Sequence, residues 1–319
     1  MITDIFLLLI GFVLLIGGAE YVVRGASSIA ARLNVSPLVI GLTIVAFGTS
    51  APELTVNVLA ALRGSTDLAI SNVVGSNIAN ILLVLGVAAI ITPLKVKSNT
   101  VWKEIPFALL GIILLFIMGN DTFLDNTTFN ALTRTDGLAL LAIFIIFLYY
   151  IYSLAKNENY GAEEKVKQYN LVASSGIFIG GLIALIAGGQ FLVNGAVDIA
   201  TTFGVSETLI GVSIIALGTS LPELATTVAA VRQGHRDVAI GNIVGSNIFN
   251  IFWILGVTSV IAPIPFSAAI NADIMVGIGA SLLLFIFMFT GKRHYMNRLE
   301  GITFLSFYAL YISYVVIRG

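Results

Sequence analysis

Residues 41–81 recur without a gap at residues 211–251, with 23 of the 41 aligned pairs identical at a constant offset of 170. The first copy reads G-L-T-I-V-A-F-G-T-S-A-P-E-L and runs on to V-G-S-N-I-A-N-I; the second reads G-V-S-I-I-A-L-G-T-S-L-P-E-L and runs on to V-G-S-N-I-F-N-I. A chain that carries this segment twice is expected to fold as two copies of one unit. The identities fall on polar residues in apolar surroundings: Thr49/Thr219, Ser50/Ser220, Glu53/Glu223, Asn72/Asn242, Ser76/Ser246, Asn77/Asn247 and Asn80/Asn250. In hydrocarbon each such group costs free energy unless something satisfies it, and an ionisable one marks a functional site by default. Two copies of one half-site point to a transporter with a central ion site.

The setting is a membrane. Of 319 residues, 58% are hydrophobic and 10% charged, and the mean hydropathy is +1.01; a soluble domain carries about 25% charged residues. Ten apolar segments of spanning length lie near 5–25, 37–62, 68–92, 104–120, 136–156, 171–200, 208–231, 238–262, 270–291 and 299–318. Each meets the requirement of roughly 17–25 apolar residues for a crossing helix. The first is not a secretory signal, because it opens M-I-T-D and carries Glu20 and Arg24. The absence of cysteine excludes disulfides and thiolate ligation.

With ten spans, thirteen of the 16 basic residues fall in or beside loops 1–2, 3–4, 5–6, 7–8 and 9–10, leaving Arg63, Arg134 and Arg318 on the other side. The basic side is cytoplasmic, so both termini are predicted outside. Five spans per half is odd, so the halves are inverted. Such an architecture alternates access around a midplane site. The chain therefore reads as a single transport domain over 1–319. Repeat 1 covers 1–156, a cytoplasmic linker 157–170, and repeat 2 171–319. The linker is too short for a soluble domain.

The motif residues suit a hard cation. Pro52 and Pro222 break their helices and lie four residues after Gly48 and Gly218. Carbonyls around Ala46–Thr49 and Ala216–Thr219 are expected to be freed at the depth where Glu53 and Glu223 project. Irregular backbone is tolerated there only in protein or against a cavity. Asn72, Ser76 and Asn80 are spaced i, i+4, i+8, as are Asn242, Ser246 and Asn250, along one helix face. Ser76/Asn80 and Ser246/Asn250 point to ligation. Asn72/Asn242 and Asn77/Asn247 fit ligation and helix-to-helix hydrogen bonding equally. The inventory is all oxygen, as Ca²⁺ and Na⁺ prefer. His235 and His294 fall in cytoplasmic connections and read as solvated. Two neighbouring buried carboxylates carry −2 only when compensated, by one Ca²⁺, by two or more Na⁺, or by protons. An empty, doubly negative site crosses with difficulty, which makes exchange obligatory.

Gly11, Gly18 and Gly25 recur every seven residues, matched by Gly181, Gly188 and Gly195. This stripe permits close helix approach, static or sliding. Glu20 and Arg24, replaced by Gln190 and Asn194 in the second half, read as a local pair.

At these motifs the chain resembles the sodium/calcium exchanger family of the calcium/cation antiporter superfamily, in its prokaryotic form without a regulatory domain. The resemblance covers essentially the whole chain. It implies an all-α polytopic membrane protein of ten transmembrane helices in two inverted five-helix repeats, set in the plasma membrane. Spans 2, 3, 7 and 8 would form the ion site and spans 1 and 6 would slide across them. It also implies electrogenic exchange of several Na⁺ for one Ca²⁺, with no prosthetic group, no enzymatic activity, no nucleic-acid partner and no obligatory protein partner. By position, Glu53 and Glu223 would ligate Ca²⁺ and share the Na⁺ sites, and Thr49 and Thr219 would offer backbone carbonyls to Ca²⁺. Ser50, Ser76, Ser220 and Ser246 would line Na⁺ sites with the carbonyls of Ala46 and Ala216, and Asn80 and Asn250 would close the centre.

Two departures narrow the branch. Potassium-dependent exchangers carry an Asp where Asn250 stands. Calcium/proton exchangers carry an acid in spans 3 and 8 where Gly75 and Gly245 stand. The rivals are a Ca²⁺/H⁺ antiporter using the same glutamates, a K⁺-dependent exchanger and, from a different class, a cation channel. An acid/base enzyme lacks a nucleophile or metal motif beside the glutamates.

Overall fold

A computed structural model describes residues 2–62, 67–124, 128–157, 168–202 and 216–318. Apolar runs become long helices because in hydrocarbon a helix satisfies its own backbone. They are α1 (Ile2–Leu33), the bent pair α2 (Pro37–Thr49) and α3 (Ala51–Leu62), α4 (Ala69–Ile91), α5 (Thr100–Met118), α6 (Arg134–Asn157) and α7 (Leu171–Thr202). The second half continues with α8 (Ala216–Thr219), α9 (Leu221–Arg232), α10 (Arg236–Ile261), α11 (Ile270–Phe287) and α12 (Arg298–Arg318). Among the described residues eight helices are long and apolar enough to span, and α2 with α3 makes a ninth, bent by 46°. The predicted span over 208–231 starts outside the described residues, as do Arg63 and most of the 157–170 linker; α8 and α9 are its described part. The chain is a multi-pass all-α membrane protein.

Burial separates centre from periphery. Most of α10 is buried, and α4 largely so, whereas α12 turns most of its surface outward. The repeat-bearing helices thus form the middle of the molecule. Glycines let α2 close on α10: a Cβ at Gly41 would lie 2.7 Å from the Val238 carbonyl, and one at Gly245 2.8 Å from the Leu42 carbonyl.

α1 and α7 run antiparallel along the predicted seam. A Cβ at Gly18 would lie 2.5 Å from the Leu185 backbone nitrogen, one at Gly25 2.6 Å from that of Phe178, and one at Gly188 2.5 Å from that of Leu15. A Cβ at Gly181 would come within 2.7 Å and one at Gly11 within 2.9 Å of the facing helix, and Gly195 is buried. On α1 Arg24 bonds Glu20 at 3.3 Å; at the equivalent place on α7 Gln190 donates to Asn194 at 2.8 Å.

Two-residue strands join the halves. β1 (Leu94–Lys95) pairs antiparallel with β4 (Tyr295–Met296), and β2 (Ala131–Leu132) with β3 (Ile264–Pro265). Each repeat lends a strand to the other, the exchange expected of two halves related by a two-fold axis. Lys97 also meets Asp237 at 3.2 Å, and Arg32 donates to the Tyr169 carbonyl at 2.7 Å. His294 departs from the solvated reading. It takes φ 59° in the α11–α12 turn, is half-buried, and sets its ring edge on Phe289.

Candidate functional site

The breaks that carry the glutamates are alike in both repeats. Ser50 interrupts α2 and α3 at φ −84°, ψ 7°, and Ser220 interrupts α8 and α9 at φ −87°, ψ 0°. Both serines sit in the bridge region, outside regular helix. Pro52 and Pro222 then fall in the first turn of the next helix, where a missing N–H costs nothing. The interruption lies at the serine rather than across the four residues before it. The Ala46 carbonyl accepts the Ser50 amide at 3.0 Å and the Thr49 hydroxyl at 3.3 Å. α7 covers both breaks, with Leu182 against Gly48 and Val193 against Gly218.

Glu53 and Glu223, one turn or less past these breaks, are fully buried. Each has one oxygen held by serine. Ser76 donates to Glu53 Oε1 at 3.2 Å, while Ser50 at 3.1 Å and Ser246 at 3.5 Å donate to Glu223 Oε1. Ser220 donates to Ser76 Oγ at 3.2 Å and so joins the two halves. Thr49 donates to Asn242 Oδ1 at 3.0 Å and lies 3.4 Å from Ser246 Oγ.

Asn80 and Asn250 lie on α4 and α10 where these helices widen into π-helical turns, Asn80–Leu85 and Phe249–Leu255. π-turns are frequent at functional sites. Asn80 Nδ2 donates to Asn247 Oδ1 and Asn250 Nδ2 to Asn77 Oδ1, both at 3.0 Å.

Within this cluster four buried oxygens have no hydrogen-bond partner among the described residues: Glu53 Oε2, Glu223 Oε2, Asn80 Oδ1 and Asn250 Oδ1. They form two repeat-equivalent pairs. A buried acceptor left without a donor costs about 1–3 kcal/mol, and more when charged. Four of them are a large unmet demand for positive charge. A hard cation meets it, since each oxygen is of the carboxylate or carbonyl type that Ca²⁺ and Na⁺ take.

Of the twelve candidate ligands, Glu53, Ser76, Ser220, Asn250 and, through Asn77 and Asn247, Asn80 share one hydrogen-bonded group, and Glu223, Ser50, Ser246 and Thr49 share a second. Ala46 adjoins the second through its carbonyl contact with Thr49. Thr219 ends α8 with its hydroxyl buried and unpartnered among the described residues, and Ala216 starts the same helix. Asn72 and Asn242 act between helices. Asn72 accepts from Asn57 at 3.2 Å, and Asn242 donates to Thr227 at 3.2 Å. Asn57 and Thr227 are equivalent positions four residues after the glutamates, and comparison of identical residues alone passes over them. Polar character at i+4 from each glutamate is the signal that could have found them.

A family profile described as "Sodium/calcium exchanger protein" matches residues 3–153 and 173–317, two stretches that meet near the linker. The sodium/calcium exchanger MaX1 of Methanosarcina acetivorans is 34% identical, over 98% of this chain and 98% of that one. The inner membrane protein YrbG of Escherichia coli is 38% identical, over 81% and 79%. A solved structure of the sodium-calcium exchanger NCX_Mj, soaked with 10 mM Na⁺ and zero Ca²⁺, superposes with a TM-score of 0.83. It shares 35% identity over 98% of each chain.

Proposed function

The chain belongs to the sodium/calcium exchanger family, and from that premise we propose that it exchanges several Na⁺ for one Ca²⁺ by alternating access, moving net charge. The observation that carries this reading is the set of four oxygens, two of them carboxylate, that have no partner among the described residues and come in equal pairs from the two repeats. One Ca²⁺ neutralises both glutamates. Two Na⁺ do the same, and a third ion carried on neutral oxygens makes the cycle electrogenic. The serine hydroxyls and the carbonyls of Thr49, Ala216 and Thr219 complete the Na⁺ and Ca²⁺ positions.

α1 and α7 are the moving pair. Their glycine seam makes them one body, and side chains of α7 rest on Gly48 and Gly218 over the two breaks. Displacing that pair opens one flank of the site at a time. Both termini lie outside and the linker inside, a placement supported by the strand and salt-bridge contacts that gather the basic loops together.

The Ca²⁺/H⁺ reading is disfavoured by Gly75 and Gly245, which stand where calcium/proton exchangers carry an acid; a Cβ at Gly245 would lie 2.7 Å from Ala46 Cβ, whereas one at Gly75 meets nothing within 4 Å among the described residues. The K⁺-dependent reading is disfavoured by the neutral amide of Asn250. The deciding experiment is ⁴⁵Ca²⁺ uptake into Na⁺-loaded proteoliposomes. Uptake should require the outward Na⁺ gradient. An inside-positive potential should speed it, because more positive charge leaves than enters. Uptake that is faster under an inside-negative potential would sink the electrogenic scheme, and uptake indifferent to Na⁺ would sink exchange itself.

A further inference from the structure

We propose that Asn77 and Asn247 are positioning residues for ion binding: each grips the amide nitrogen of the other repeat's central asparagine, so that the carbonyl oxygen faces the ions. This rests on the ion cage proposed for the paired glutamates and asparagines.

An asparagine amide has two ends of nearly the same shape and opposite polarity, one an acceptor and the other a double donor. Its last torsion is broad and roughly two-fold, so nothing intrinsic selects which end points inward. In a cation site the choice is decisive, because the reversed amide presents hydrogens to a positive ion.

The structure removes the choice in both repeats. Asn80 on α4 donates to Asn247 Oδ1 on α10, and Asn250 on α10 donates to Asn77 Oδ1 on α4, each at 3.0 Å. Asn250 Nδ2 has a second acceptor in Ser76 Oγ at 3.3 Å. The far ends, Asn80 Oδ1 and Asn250 Oδ1, are the oxygens without a partner among the described residues. Reversal would set carbonyl against carbonyl and strand two buried amide groups at once.

One of the two grips is itself anchored. Asn77 Nδ2 donates to the backbone carbonyl of Asn247 at 3.2 Å. That carbonyl lies two residues before the π-helical turn of α10. Asn77 and Asn247 are almost fully buried, and their side-chain oxygens are consumed as acceptors. They do not ligate with those atoms. The two readings left open by the sequence are thereby separated: Asn80 and Asn250 bind, and Asn77 and Asn247 aim them.

The test is a double-mutant cycle read by equilibrium ⁴⁵Ca²⁺ binding, and its displacement by Na⁺, on the purified full chain. Asn247→Leu should weaken Ca²⁺ binding by about tenfold or more, the scale of one hydrogen-bond-strength contact to a charge. Asn80→Asp supplies a carboxylate, which presents oxygen from either end. On that background, adding Asn247→Leu should change affinity by less than about twofold, the range of independent sites. Equal losses on both backgrounds, or no loss on either, would overturn the positioning role. If leucine at 247 prevents folding, the equivalent cycle of Asn77→Leu with Asn250→Asp decides in the same way. Glu53→Gln in the same assay separates the two levels of inference. Wild-type affinity in that variant would remove the cage reading. Lost affinity in Glu53→Gln together with equal losses in the asparagine cycle would remove only the positioning role.

Discussion

At the scale of single residues, the two glutamates hold the same place in the design but not the same company. Glu53 Oε1 takes one serine donor and Glu223 Oε1 takes two, while the second oxygen of each has no hydrogen-bond partner among the described residues. Changing either carboxylate to an amide removes half the compensating charge and leaves the shape. Glu53→Gln and Glu223→Gln should each lower Ca²⁺ affinity at least about a hundredfold, equivalent to about 2.7 kcal/mol. The ion-free protein should stay monodisperse with an unchanged or higher melting temperature, since a buried charge has gone. Wild-type ⁴⁵Ca²⁺ transport by either variant would dismiss this site. The glutamates, serines and central asparagines were legible in the sequence because a polar side chain is costly in an apolar span, and one that recurs at the same place in two spans must be compensated by a shared site. Asn57 and Thr227 were not, since they differ between the copies. The role of Asn77 and Asn247 was not either, because spacing along one helix does not say which neighbour a side chain meets.

Helices show their design in neighbouring glycines that behave differently. A Cβ at Gly18 would lie 2.5 Å from the α7 backbone, whereas one at Gly17 meets nothing within 4 Å among the described residues. Gly18→Ala should therefore separate α1 from α7 and destabilise by about 1–3 kcal/mol, as overpacking does. Gly17→Ala should be neutral or gain about 0.5–1 kcal/mol from helix propensity. Thermal melts of the two purified variants check this, and equal melting temperatures would mean that the seam is not tight. At the N-terminal end of α11, the largely buried Asp273 meets Arg318 of α12 at 2.9 Å and accepts from Tyr311 at 3.3 Å. Arg318→Ala should cost about 1–2 kcal/mol, discounted from the fully buried case because Arg318 is one-third exposed. Adding Asp273→Asn should recover part of that loss; a further drop in the melting temperature would argue against the pair. Span boundaries could be read to within a few residues for most helices, because apolar length is a direct physical requirement. The position of the breaks could not, since a proline ends a helix, kinks it or starts the next one depending on what packs there.

The whole molecule is two copies of one unit meeting across a shared site, and its behaviour follows from that sharing. The offset of 170 made the duplication legible, and the parity of spans made its inversion legible. The strand exchange between repeats was not, because two-residue strands leave no periodic trace. Because Glu53 and Glu223 serve both cations under the proposed mechanism, Na⁺ must weaken Ca²⁺ binding. Linkage then requires Ca²⁺ to weaken Na⁺ binding by the same factor. Protons enter the same competition. A proton on either carboxylate has to leave before a divalent ion is fully neutralised, so Ca²⁺ affinity should fall as pH is lowered and recover as it is raised. K⁺ should be without effect, since the amide of Asn250 adds no charge to hold it. Mg²⁺ should compete poorly, because it gives up its water reluctantly and the cage is built from protein oxygens. The measurement is equilibrium ⁴⁵Ca²⁺ binding to the purified protein across Na⁺ concentration and pH, with ²²Na⁺ binding across Ca²⁺ concentration as the reciprocal arm. A Ca²⁺ affinity that ignores both Na⁺ and pH would mean separate sites, and a carrier with separate sites has no need of the paired carboxylates at its centre.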